Sequence, residues 1–88
     1  MQAESTIIKN MPMPTEAEVK ECLRTILSDI NSYTSSLNYA VEYAKYGLHI
    51  HGEELRVQCL YVVNNIAGWR HPASKEIRRK LRKFGKGE

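Results

Sequence analysis

Apolar residues recur every three or four positions along much of the chain, and this spacing limits the fold more than any other feature of the sequence. Because successive residues of an α-helix turn by about 100°, residues spaced in this way fall on one side of the helix and can face a core. The first stretch comprises Val19, Cys22, Leu23, Ile26, Leu27, Ile30 and Tyr33, and the pattern resumes at Leu37, Ala40, Val41, Ala44 and Leu48. We therefore predict an all-α fold, a small single-domain bundle of three or four helices.

The first helix is predicted to start at Thr15. Glu18 follows with the spacing of a capping box, in which each side chain accepts a hydrogen bond from a free backbone amide. The segment "DINSYTSS" is poor in helix formers, because Ser, Thr, Asn and Asp compete for backbone hydrogen bonds. One helix to about residue 48 and two helices with a break near Ser35 both fit the pattern, and we favour the break.

Residues 53–67 are predicted to form the next helix. Apolar residues extend almost around this helix, so we expect it in the centre of the bundle, with Gly68 as a left-handed cap at its end. A β-hairpin over residues 48–63 is the alternative, because apolar residues alternate in "LRVQCLYVV". The last helix is expected to follow "WRHPAS", with Ser74 as a candidate cap, and to run to about Phe84.

These elements divide the chain into three parts. A helical domain covers residues 15–85, after a flexible N-terminal arm of residues 1–14 and before a frayed tail of residues 86–88. The 88 residues suffice for one core only.

Positive charge is concentrated in the C-terminal fifth. Before Trp69 the chain has five Lys or Arg against eight Asp or Glu, a net charge of minus three, and from Trp69 onward it has eight against two, a net charge of plus six. On a helical wheel Ile77, Leu81 and Phe84 share one side, and basic residues occupy the remaining arc. The candidate nucleic-acid-binding residues are Arg70, Lys75, Arg78, Arg79, Lys80, Arg82, Lys83 and Lys86.

Such a one-sign face differs from an ordinary solvated helix face, which mixes charges. Like charges spaced four residues apart destabilise a helix by a few tenths of a kcal/mol per pair, and Glu76 alone offers an opposite charge. Lys and Arg at this density suit the phosphates of DNA or RNA. We therefore predict a small non-enzymatic nucleic-acid-binding or regulatory protein. A strict helix-turn-helix motif is excluded, because Ser74 stands where an apolar residue is required.

A second hypothesis rests on Tyr39, Tyr43 and Tyr46, which lie opposite the apolar stripe of the second helix. Two apolar faces on one helix require two neighbours, so the protein is alternatively a helical protein interaction module, as a homodimer or with another protein. Trp69 is a further interface candidate, although we expect it to cover the core with its indole N–H turned outward.

Several classes of function are not expected. The three histidines, His49, His51 and His71, lack supporting ligands at metal-site spacing, and no cofactor or small-molecule substrate is indicated. Cys22 and Cys59 form no CxxC motif and are expected to be buried thiols. There is no nucleophile elbow, phosphate loop or HExxH motif, so an enzyme is not expected. Without a signal peptide or membrane span, a soluble cytoplasmic protein is expected.

Overall fold

The computed structural model describes residues 13–33 and 37–87. Within these residues the chain is all-α, as predicted, and the hairpin alternative over residues 48–63 is wrong. The elements are α1 (Glu16–Ser28), a short 3-10 helix (Ile30–Tyr33), α2 (Asn38–Gly47), α3 (Gly52–Asn64) and α4 (Ser74–Lys86). The predicted N-terminal arm, as far as residue 12, lies outside the described residues.

Helix α1 starts with the predicted capping box. The backbone N–H of Thr15 donates to the Glu18 carboxylate (2.8 Å), and the backbone N–H of Glu18 donates to the Thr15 hydroxyl (3.1 Å). The helix ends earlier than the apolar pattern suggests, because Asp29 adopts an extended conformation. The change of direction leaves Ile30 82% and Tyr33 49% exposed, so the prediction that these two residues face the core is wrong. Two helices in place of one long helix are confirmed, although α1 ends at Ser28, and the predicted break point near Ser35 lies outside the described residues.

The four helices form a ring. Each helix packs against the next one in sequence, and α4 closes the ring by packing against α1. A ring of this kind has no central helix, so the prediction that the third helix lies in the centre is wrong. Consistent with this position, Val57 and Tyr61 of α3 are 40% and 48% exposed.

The core fills the inside of the ring with apolar side chains from all four helices. The buried residues include Val19, Leu23 and Ile26 of α1, Ala40, Val41 and Ala44 of α2, Leu55, Cys59 and Val62 of α3, and Ile77, Leu81 and Phe84 of α4.

Helices α3 and α4 pack closely at Gly85. A Cβ atom at this position would lie 2.6 Å from Leu60 Cδ2 and 3.0 Å from the backbone oxygen of Arg56. Helix α4 then continues to Lys86, beyond the predicted end near Phe84. Gly87 terminates it in the left-handed conformation (φ 73°), which glycine adopts without steric cost. Of the predicted tail, residues 86–88, Lys86 is therefore the last residue of α4 and Gly87 is its cap.

The connector between α3 and α4, residues 65–73, is tied to the end of α1 by Trp69. The indole is 3% exposed, and its N–H donates to the Asp29 carboxylate at 2.8 Å. The expectation that this N–H faces outward is therefore wrong, because Asp29 lies over it. Two local predictions also fail: Gly68 has no positive φ, and Ser74 is the first residue of α4, after an N-cap at Ala73.

The N-terminus of α3 is capped by a side chain from α1. The Glu16 carboxylate accepts a hydrogen bond from the backbone N–H of Gly52 (2.8 Å) and lies 3.0 Å from Nδ1 of His51. The bond from Gly52, followed by the bond with His51, holds the pKa of Glu16 below its ordinary value. His51, the N-cap residue of α3, provides no side-chain cap itself, so Glu16 replaces it from a distant part of the chain.

Substitution of Asp29 with Ala should lower the stability of the fold. The buried indole N–H would lose its acceptor, which costs about 1–3 kcal/mol of unfolding free energy. Urea unfolding followed by circular dichroism measures this loss. Glu42→Ala is the matched control, because within the described residues its carboxylate pairs only with Lys45, on the surface (3.7 Å), and it should change stability by less than about 0.5 kcal/mol. Equal losses in both variants would show that the bond to Trp69 contributes nothing.

The Glu16 cap predicts a pH dependence. Because the folded pKa is lowered, the contact stabilises the protein above the unfolded pKa of about 4.3, and this stability is lost as the pH falls through the folded value. Melting temperatures of wild type and Glu16→Gln should therefore differ most at neutral pH and converge in acid. A difference that stays constant over the whole range would contradict the assignment. Glu42→Gln, the control, should follow the wild-type profile.

Candidate functional site

Four exposed cationic side chains line the outer surface of α4. Lys75, Arg79, Arg82 and Lys86 follow one another at intervals of four, three and four residues, which places them within about 60° of one another on the helix. At a rise of about 1.5 Å per residue, they extend over about 16 Å. We call these four residues the basic row.

The opposite side of α4 anchors it to the core. Ile77 and Phe84 are each 5% exposed, and Leu81 is fully buried. Near the end of the helix, the Arg56 guanidinium lies 5.2 Å from the centre of the Phe84 ring, and its Nη1 is 3.4 Å from the Phe84 carbonyl oxygen. The basic row is therefore carried by a helix that is packed along its whole length.

The other predicted phosphate-binding residues lie outside the row. Arg78 is half-buried, and its Nη1 donates to the carbonyl oxygen of Ala67 at 3.4 Å. Lys80 and Lys83 are half-buried as well. Arg70 is exposed, but it lies on the connector rather than on α4. The structure thus brings four of the eight predicted residues together on one outward strip.

Sequence reasoning missed the contribution of Arg56, which adds a ninth cation near the end of α4. Its guanidinium also lies 3.9 Å from the Glu53 carboxylate in the same helix. The spacing of three residues between Glu53 and Arg56 can be read from the sequence. The contact between Arg56 and Phe84 joins two different helices, and nothing in the sequence indicates it.

The charges of α4 are not arranged to stabilise the helix. Its single carboxylate, Glu76, lies 3.5 Å from Arg79 and 3.9 Å from Lys80. In the described part of the chain, Lys75, Arg82 and Lys86 form no ion pair. Lys86 lies in the last turn, where the helix dipole favours a cation, but Lys75 lies in the first turn, where the dipole opposes one. Much of the positive charge therefore has no partner within the chain.

A groove of about 260 Å³ between α1 and α4 borders this strip. Its carboxylates belong to Glu18, Glu21 and Glu76, its one ammonium group belongs to Lys80, and Cys22 lies among them. Burial raises the pKa of the Cys22 thiol, and it raises the pKa of Cys59 to about 12. Both thiols are therefore protonated at neutral pH. The carboxylates make this edge of α4 unfavourable for an anion.

Helices α2 and α3 carry a second exposed surface. We define the tyrosine face as the exposed and half-exposed side chains of Tyr39, Tyr43, Tyr46, Val57 and Tyr61. The rings of Tyr43 and Tyr61 lie 5.4 Å apart, and the Tyr46 hydroxyl donates to Glu54 at 2.8 Å. This bond to a carboxylate raises the pKa of Tyr46.

The tyrosine face differs from its prediction in two respects. Sequence reasoning missed Tyr61 and Val57, although their spacing of four residues places them on one side of α3. Trp69 does not belong to this face, because it is buried in the chain's own core. The face lies on α2 and α3. Helix α3 packs against α4, but its Tyr61 lies toward α2, with its ring 5.4 Å from that of Tyr43, and α2 makes no direct contact with α4 across the ring. The two surfaces are therefore separate.

The described residues contain no group of three or more His, Cys, Asp or Glu side chains placed to hold a metal ion. None of the described helices is long and apolar enough to cross a membrane. Comparison of the chain with protein-family models, curated proteins and solved structures yielded no match. The function must therefore be inferred from the chemistry of the basic row and of the tyrosine face.

Proposed function

We propose that this protein binds nucleic acid through the basic row of α4. The observation that carries the proposal is the straight line of four exposed cations, of which only Arg79 lies within ion-pair distance of a carboxylate in the described chain. Arg presents a fork of N–H donors that matches phosphate, and Lys supplies a point charge. Binding of phosphates would also reduce the repulsion between the like charges.

The composition of α4 favours contacts to the backbone of the nucleic acid rather than to its bases. The helix sequence "SKEIRRKLRKFGK" contains no Asn or Gln, the residues that read adenine in the major groove, so guanine is the one base that its Arg and Lys side chains are suited to read. Phosphate contacts orient a protein but carry no sequence information. The proposed binding is therefore largely independent of sequence.

The proposal predicts a steep salt dependence. Four phosphate contacts correspond to a slope of about −3 to −4 in a plot of log K against log salt, so affinity should fall about a hundredfold between about 50 and 200 mM salt. Fluorescence anisotropy of labelled oligonucleotides measures this slope. Absence of binding to both duplex and single strands at about 50 mM salt would remove the proposal.

A charge-matched pair of variants separates the basic row from net charge. The double variant Arg79→Glu with Arg82→Glu should abolish most of the binding. The control, Arg24→Glu with Lys45→Glu, has the same change in net charge, and its two substituted side chains are exposed on α1 and α2. It should keep a slope close to that of the wild type. Equal losses in the two variants would assign binding to overall charge alone.

The tyrosine face supports a second candidate function, a protein interaction module that pairs with a second copy of this chain. Tyr39, Tyr46 and Tyr61 are 68%, 50% and 48% exposed. At roughly 200 Å² per tyrosine side chain, these fractions leave about 300 Å² uncovered, enough to form the centre of an interface that needs about 800 Å² per partner. Aromatic rings packing on aromatic rings, as Tyr43 and Tyr61 already do, suit a symmetric pairing.

Sedimentation equilibrium tests this second candidate. The wild type should have the mass of a dimer, and Tyr39→Glu should have that of a monomer, because Tyr39 is the most exposed ring of the face. Tyr43 is a poorer choice, since it packs against the core and its loss would also affect folding. Ile30→Glu changes an 82% exposed apolar residue elsewhere and should leave the mass unchanged. A monomeric wild type would exclude the homodimer.

A further inference from the structure

We infer, on the basis of the nucleic-acid binding proposed above, that the basic row is suited to a double helix and not to a single strand. The two kinds of nucleic acid require different protein surfaces. Proteins that hold single strands combine positive charge with exposed aromatic rings on which unpaired bases stack, at about 1–3 kcal/mol per base. A double helix keeps its bases stacked and presents two regular lines of phosphates.

Aromatic stacking partners are absent from the described surface around the basic row. Phe84, on the same helix, is 5% exposed, and Trp69, on the connector, is 3% exposed. The imidazole of His71 is already stacked on Trp69, with ring centres 4.9 Å apart. The exposed tyrosines Tyr39 and Tyr46 lie on α2, which does not contact α4, and the ring of Tyr61 on α3 lies against Tyr43 of α2, at 5.4 Å. A single strand on the basic row would therefore gain charge neutralisation without base stacking.

The rigidity of the row also favours a double helix over a single strand. Its four cations repeat at nearly the helical pitch of about 5.4 Å, on a helix docked by Ile77, Leu81 and Phe84. A duplex carries one charge per about 1.7 Å of its axis, both strands counted, so about nine phosphates fall within the length of about 16 Å of the row, and those on the side that faces it are already in place. A flexible strand would lose conformational entropy on being straightened along the row.

The borders of the row limit binding to a narrow strip. On the α1 side, the groove carries the three carboxylates of Glu18, Glu21 and Glu76 against one ammonium group, that of Lys80, and this excess of negative charge repels phosphates. On the α3 side, Arg78 is directed to the carbonyl oxygen of Ala67. The row covers about 60° of a helix whose full diameter is roughly 10–12 Å, so the strip is narrower than the roughly 12 Å major groove between two phosphate lines. It offers no second track around which a flexible strand could wrap.

Direct binding measurements with four probes, each titrated by itself, test this inference. The probes are a 20-base-pair DNA duplex of mixed sequence, an RNA duplex of the same sequence, and oligo(dT) and oligo(rU) of equal length, which cannot pair with themselves. We expect at least one duplex to bind ten times more tightly than either single strand at about 100 mM salt, with a slope of about −3 to −4.

Single neutral substitutions identify the contacts. Lys75→Gln, Arg79→Gln, Arg82→Gln and Lys86→Gln should each reduce the magnitude of the duplex slope by about 1. Lys45→Gln, an exposed cation on α2, should leave it unchanged. Circular dichroism confirms that each variant is folded, which is expected because all five side chains are exposed.

The outcomes separate the inference from the function on which it rests. Single strands that bind as tightly as the duplexes would overturn the preference for a double helix and leave nucleic-acid binding intact. Duplex binding that survives all four substitutions in the row, with an unchanged slope, would overturn the role of the row. Failure of all four probes to bind at about 50 mM salt would overturn both proposals.

Discussion

The packing of α4 through Ile77, Leu81 and Phe84 is the contact on which the rest of the structure depends. It closes the ring of helices by bringing α4 against both α3 and α1. It also determines which way every other side chain of α4 faces, because a helix with one side buried presents the remaining arc to solvent. Gly85 fixes the approach further, since a larger residue would collide with Leu60. A run of basic residues thereby becomes a straight row on a rigid support.

Much of the fold could be predicted from the sequence, because the signals that define each helix come from residues close together in the chain. The spacing of apolar residues indicated each helix, and the capping box at Thr15 and Glu18 marked the first helix start. The same wheel that placed Ile77, Leu81 and Phe84 on one side also placed the basic residues on the other. The exposure of each basic residue depends on where α1 and α3 lie. The periodicity of the sequence does not give the positions of these helices.

The errors arose where contacts join distant parts of the chain. Ile30 and Tyr33 continue the apolar pattern of α1, but Asp29 turns the chain and is held in place by a hydrogen bond from Trp69, forty residues later. The cap of α3 comes from Glu16, thirty-six residues before Gly52. Propensities and periodicity describe neighbours in sequence, so neither contact leaves a local signal. The broad apolar surface of α3 fits a helix in the centre of a bundle as well as a helix in a ring of four, and the sequence alone does not distinguish the two.

The repulsion within α4 is small compared with the packing that opposes it, and this difference bears on the proposed function. Four like-charge pairs are spaced four residues apart in the helix, at a cost of about 1–2 kcal/mol in total. Burial of Ile77, Leu81 and Phe84 contributes about 1.5–3 kcal/mol for each side chain. The helix therefore stays folded and docked without a ligand, and its cations are already aligned before an anion arrives. Since no folding step has to accompany association, the charge of Lys75, Arg82 and Lys86, which form no ion pair in the described chain, is available to the proposed phosphate ligands and attracts anions from a distance at low salt.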